Sequence, residues 1–106
     1  MEDPKVLVTV IVQRKDGQKV VDSAIKAGAP GVTYFYGRGT GVRQKLGTWA
    51  FLIEAEKQVI MMVMPEPQAD SVLDAIIKDT GIDKPGRGFA FIQPITRVVG
   101  FYKETK

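Results

Sequence analysis

Val6-Leu7-Val8-Thr9-Val10-Ile11-Val12 and Val59-Ile60-Met61-Met62-Val63-Met64 are the two stretches whose reading decides the fold. Each is short, almost wholly apolar and bounded by chain breakers: Arg14-Lys15-Asp16-Gly17 after the first, Pro65-Glu66-Pro67 after the second. Both therefore read as strands. A shift of 52 positions lays Leu7–Val12 on Val59–Met64, and the same shift lays Asp22, Ile25 and Lys26 on Asp74, Ile77 and Lys78. Behind each strand, apolar residues recur at helical spacing. Val20, Val21, Ala24 and Ile25 precede a stop at Gly28 with Pro30 beyond; Val72, Leu73, Ile76 and Ile77 precede Gly81.

Two further strands complete the pattern. Gly31 opens one at Val32-Thr33-Tyr34-Phe35-Tyr36, and Phe89-Ala90-Phe91-Ile92 forms another. Thr96-Arg97-Val98-Val99 either extends this last strand or makes a short fifth. A βαβ unit used twice predicts an α+β, ferredoxin-like βαββαβ domain over residues 1–106, a four-stranded antiparallel sheet with two helices on one face. Two helices are too few to cover both faces of an open parallel sheet.

A half-exposed strand alternates apolar and polar residues, and these strands do not. Val6–Val12 and Val59–Met64 are apolar at nearly every position, and Tyr34-Phe35-Tyr36 and Phe89–Ile92 are apolar or aromatic on both parities. Both sheet faces therefore call for burial, and another copy of the chain is the economical cover for the face without helices.

The chain has 106 residues with no Cys and no His. Disulfides, thiolate nucleophiles, His-based triads and the common zinc sites are thereby excluded. No paired carboxylates or base–nucleophile constellation stands out, so the expectation is a protein that is not an enzyme. No apolar run approaches the ~20 residues needed to cross a bilayer. Met-Glu-Asp-Pro at the start places acids where a signal peptide carries positive charge, which predicts a cytoplasmic protein.

Charge is unevenly placed. Gly37–Ile53 holds Arg38, Arg43 and Lys45 without an acid, and Lys84–Arg97 holds Lys84, Arg87 and Arg97 without an acid. Both stretches are rich in glycine. Clustered positive charge on such loops suits a small polyanion such as a nucleotide phosphate better than an extended nucleic-acid surface. Two solvated basic loops without a ligand are the alternative. The long connection after the second strand also carries an apolar stretch, Thr48-Trp49-Ala50-Phe51-Leu52-Ile53, readable as a short strand or an exposed tip.

Over nearly its whole length the chain resembles the PII signal-transduction superfamily. The resemblance rests on Gly31-Val32-Thr33, Gly39-Thr40-Gly41, Val63-Met64-Pro65, the run Thr80-Gly81-Ile82-Asp83-Lys84-Pro85-Gly86-Arg87-Gly88-Phe89, and Arg97-Val98, in that order and spacing. It implies a homotrimer of ferredoxin-like subunits with an adenine-nucleotide site in each cleft between neighbours. It also implies a T-loop, about 42–56, that reports ligand state to a target, and a phosphate-holding B-loop, about 82–88. By family position Ile11, Thr33, Gly39 and Val63 would surround the adenine, and Gly41, Gly86, Arg87 and Gly88 would face the phosphates. Arg38, Met64 and Phe89 are counted with the same site. Arg43, Gln44 and Lys57 correspond to effector positions, with Mg²⁺ and a second effector (2-oxoglutarate, bicarbonate or none) left open.

Departures from the nitrogen-regulatory branch are equally informative. Phe89 stands where that branch has Lys, Gly100 and Tyr102 stand where it has Arg, and Arg87 stands where it has Asp. Fewer phosphate-binding cations favour ADP or AMP over ATP. The loop carries Trp49 and Phe51 in place of a tip Tyr, which removes the usual uridylylation site and suggests partner contact. The resemblance is thus to PII-like members outside that branch, with a membrane transporter or another regulatory protein as target. The competing reading is a structural or metal-tolerance-type trimeric module that senses no nucleotide.

Overall fold

The computed structural model describes residues 3–39 and 56–101 of the chain. In chain order these form β1 (Lys5–Gln13), a 3₁₀ turn (Arg14–Asp16), α1 (Gly17–Lys26), β2 (Thr33–Arg38), β3 (Glu56–Pro65), α2 (Glu66–Thr80) and β4 (Gly88–Pro94). All strand pairs are antiparallel and the sheet order is β2-β3-β1-β4. This is the α+β, ferredoxin-like architecture that the doubled strand–helix pattern predicts.

Register decides which side chains meet. Val8 lies opposite Met62 and Ile92, and Val10 opposite Ile60 and Ala90, so even-numbered residues of β1, β3 and β4 share one face. That face is the core. Val6, Val8, Val10, Val12, Ile60, Met62 and Met64 are buried there with Val20, Val21 and Ala24 of α1 and Ala69, Val72 and Ile76 of α2. Each such Val, Ile or Met contributes roughly 1.5–3 kcal/mol by leaving water.

The breakers act as more than strand ends. α2 starts at Glu66, directly after β3, with Pro67 in its first turn, where a missing N–H costs nothing. It ends at Gly81, which adopts the left-handed conformation (φ 69°) and donates its N–H to the Ile77 carbonyl at 2.8 Å. Residues 96–99 form neither an extension of β4 nor a fifth strand. Pro94 closes β4, and the ladder's last bond runs from the Ile95 N–H to the Lys5 carbonyl at 3.1 Å.

The odd-numbered face carries no helix. Across it run the rows Phe35–Val59–Ile11–Phe89 and Thr33–Met61–Thr9–Phe91. Phe35 is 49% exposed and Phe89 57%, and the Phe89 and Phe91 rings stack at 6.2 Å. The helix-side face is fully buried only over the central strands. Tyr34 and Tyr36 have the core parity but sit on edge strand β2, beyond the helices' cover, and are 47% and 61% exposed.

At the junction of β1 and α1, Gly17 packs directly on Gln58, whose side chain is buried on β3. A Cβ at position 17 would occupy the space of the Gln58 amide. Gly17→Ala should therefore destabilise the fold by about 1–3 kcal/mol through overpacking, read as a lower denaturant midpoint with an unchanged slope.

Candidate functional site at the loop-bearing end of the sheet

Antiparallel pairing brings the end of β1, the end of β2, the start of β3 and the start of β4 to one edge of the sheet. Gln13 lies opposite Lys57, Lys57 opposite Gly37, Arg38 opposite Glu56, and Val12 opposite Gly88. The stem of the segment 40–55 and the glycine-rich 82–88 loop are therefore neighbours by topology, although Arg38 and Gly81 are 43 positions apart in sequence.

The 82–88 loop is built from the end of α2. Two turns shape it, Lys84 N–H to the Gly81 carbonyl and Arg87 N–H to the Lys84 carbonyl, both at 3.1 Å. Gly86 has φ 79°, a conformation that other L-residues adopt only at a cost of about 1–2 kcal/mol. Gly88 answers a different demand: a Cβ there would lie 2.5 Å from the Ile11 carbonyl oxygen. The two glycines are thus required by the backbone of the loop itself.

Two polar side chains tie this loop to the β1–α1 corner. The Gln13 amide donates to the Gly86 carbonyl at 2.9 Å, and the Arg87 Nε lies 3.8 Å from Asp16 Oδ2. Arg87 also donates through Nη2 to the Thr80 carbonyl at 2.9 Å, at the end of α2. Its guanidinium is therefore partly committed within the chain. Asp16 Oδ2 is buried with no hydrogen-bond partner among the described residues.

At the stem, Arg14 Nη1 donates to Glu56 Oε1 at 2.9 Å, and its guanidinium carbon lies 5.6 Å from the Tyr36 ring centre. The Lys57 stem runs beside Gly39, within ordinary contact distance of where a Cβ would be. Below this polar end, the row Phe35–Val59–Ile11–Phe89 gives the open face an apolar floor.

The residues predicted from the resemblance fall into two groups. Ile11, Arg38, Gly39, Lys57, Gly86, Arg87, Gly88 and Phe89 gather at the loop-bearing end. Thr33 and Val63 lie toward the opposite end, where with Leu7, Met61, Gly100 and Phe101 they line a cavity of about 420 Å³. Val63 is four residues along β3 from Val59, the neighbour of Ile11, so about 13 Å separates the groups. One adenine ring cannot touch both within a single chain. Met64 belongs to neither group: it is wholly buried under the helices, because its even parity turns it away from Val63. Gly41, Arg43, Gln44, Trp49 and Phe51, and the apolar stretch 48–53, lie outside the described residues. Gln13, Arg14 and Asp16 were not foreseen. Nothing in a polar strand end followed by Arg14-Lys15-Asp16 distinguishes it from an ordinary solvated turn.

Comparison with known proteins agrees with the fold. The family profile described as "Nitrogen regulatory protein P-II" matches residues 5–105. The chain belongs to the P-II family. Among solved structures, it is similar to Arabidopsis thaliana PII bound to citrate, with 26% sequence identity and a TM-score of 0.67, over 88% of this chain and 78% of that one. No curated protein matches the sequence. Members of the P-II family are signalling proteins, and the fold of this P-II chain is the one its family implies. Among the described residues no helix is long and apolar enough to cross a membrane.

The close seat of Gly88 on β1 gives a direct check. Gly88→Ala should push the start of β4 off the Ile11 carbonyl, lower stability by about 1–3 kcal/mol and speed amide exchange selectively over residues 86–90.

Proposed function

We propose that this P-II chain is a PII-like regulator outside the nitrogen-regulatory branch. It binds an adenine nucleotide, ADP or AMP in preference to ATP, in clefts between three identical subunits. Through the segment 42–56 it controls a target protein, a membrane transporter or another regulatory protein. It performs no catalysis of its own.

The observation that carries this reading is the division of the expected site into two groups at opposite ends of the sheet. The loop-bearing group supplies the glycine backbone of Gly86 and Gly88, cations at Arg38, Lys57 and Arg87, and an apolar floor of Ile11 and Phe89. The other group supplies Thr33 and Val63 at an apolar cavity. A ligand meeting both groups at close range is best served by two copies, the loop end of one set against the cavity end of its neighbour. The exposed Phe35, Phe89 and Phe91 lie on the same face and give the copies a reason to associate. Backbone N–H groups and guanidinium forks suit phosphate oxygens. The citrate on the Arabidopsis protein is itself a small polyanion, in keeping with an anion-binding site on this fold. Gly100 and Phe101 at the cavity add no charge for a third phosphate.

Light scattering should give about three times the 11.7 kDa chain mass at micromolar concentration. Calorimetry with ADP, AMP and ATP, with and without Mg²⁺, bicarbonate and 2-oxoglutarate, then ranks the ligands. Arg87→Ala should weaken ADP binding about tenfold or more, since a charge-assisted contact contributes roughly 1.5–3 kcal/mol. Gly86→Val should weaken it further by forcing the loop out of its φ 79° turn. ADP affinity unchanged in both variants would remove the 82–88 loop from the site.

A further inference from the structure

The corner between β1 and α1, Gln13 to Gly17, touches both loop systems at once. On one side Gln13 holds the Gly86 carbonyl at 2.9 Å, and Asp16 faces Arg87 at 3.8 Å. On the other, Arg14 bridges Glu56 at 2.9 Å and lies over the Tyr36 ring, while Gly17 packs on Gln58. Glu56, Gln58 and Tyr36 are the strand ends from which residues 40–55 depart, and Tyr36 pairs with Gln58 across the ladder. Four of these five residues thus contact either the 82–88 loop or the arms of the stem.

We propose that Gln13, Arg14 and Asp16 are positioning residues that couple the 82–88 loop to the stem at 36–38 and 56–58, so that a change in how Arg87 is held alters the order of the stem. The physical basis is competition for a limited set of partners. Among the described residues Arg87 has two partners, the Thr80 carbonyl within hydrogen-bond distance and Asp16 Oδ2 just beyond it. Asp16 Oδ2 is buried and has no other hydrogen-bond partner among the described residues, so it gains by any shift of Arg87 toward it. Drawing Arg87 away removes the cation facing a buried carboxylate. Asp16 is the last residue of the 3₁₀ turn that Arg14 begins, and the next residue, Gly17, is locked against Gln58 with no room to spare. A close-packed contact of that kind transmits displacement. The Arg14–Glu56 pair is about half exposed and contributes little energy by itself. Its part is to keep the Glu56 arm in register with the corner.

The coupling is a property of the folded chain and needs no ligand; its use in signalling rests on the function proposed above. The test is a double-mutant cycle read by amide exchange on the ligand-free protein. Arg87→Met should speed exchange at residues 36–38 and 56–58 about three- to tenfold, a remote effect because the hydrogen bond and ion pair of Arg87 run to Thr80 and Asp16. Asp16→Asn, which keeps the shape of the side chain, should do the same with the circular dichroism spectrum unchanged. In an Arg14→Met background either change should add little more at the stem. Faster exchange confined to residues 80–90, or full additivity of the two changes at the stem, would overturn the coupling. A second arm adds saturating ADP. Slower exchange at 36–38 and 56–58 in the parent chain, lost in Arg14→Met at unchanged ADP affinity, extends the coupling to ligand. An identical ADP response in Arg14→Met overturns it, while a parent chain that binds no ADP refutes the proposed ligand and leaves the ligand-free cycle to decide the coupling.

Discussion

The pairing register of β1 with β3 and β4 is the constraint on which the rest depends. With Val8 opposite Met62 and Ile92, every even-numbered residue of the three strands faces α1 and α2, and every odd-numbered one faces away. A slip of one residue would exchange the faces, moving Ile60, Met62 and Met64 out of the core and Met61 and Val63 into it. In most half-exposed sheets such a slip is opposed by polar residues on the outer face. Here both faces are apolar, so discrimination falls to shape. Val6, Val8, Val10 and Val12 form a uniform, β-branched strip that fits the small side chains Ala24 and Ala69 of the helices. Pro65 and Pro67, placed directly at the β3–α2 junction, permit one exit point for the helix. The same register sets Gln13 beside Lys57 and Gly88 beside Val12, and so assembles the loop-bearing end.

Much of this was legible from residue patterns. Strand and helix identities follow from two periodicities with breakers between them, and the shift of 52 positions reveals the repeat. Because 52 is even, the shift also preserves parity, so Leu7 and Val59 face the same way, as do Val8 and Ile60. Element ends were less legible. β3 runs from Glu56, before its apolar run, because the ladder with β2 extends through Lys57 and Glu56 whatever their polarity. The aromatic run Tyr34-Phe35-Tyr36 suggested burial on both sides, yet β2 is the sheet edge, and position within a sheet is set by long-range pairing that no local pattern encodes.

The candidate site divides along the same line. Gly86 and Gly88 were legible as special because glycine clusters report backbone demand, and the structure supplies two separate demands, a left-handed turn and a close seat on Ile11. Met64 was misplaced by reading a motif, Val63-Met64-Pro65, as a unit, when adjacent strand residues must face opposite ways. Gln13 and Asp16 were not legible at all. Their roles come from partners at Gly86 and Arg87, more than 70 positions away in sequence, and a buried polar side chain is recognised only once its partner is known.

The open face joins these strands of argument. It carries the exposed Phe35 and Phe89, the floor of the loop-bearing group and the cavity that holds Thr33 and Val63. If copies of the chain cover this face, the act of covering it is also the act of completing a site that no single copy contains. Association and ligand binding would then be linked: a ligand that contacts two copies stabilises their contact by the same free energy that the contact adds to its binding. Such a site would be weak in any isolated subunit, however well formed its loop. Burial of the aromatic row would supply the affinity between copies, leaving the polar groups at Gly86, Arg87 and Lys57 to select the ligand.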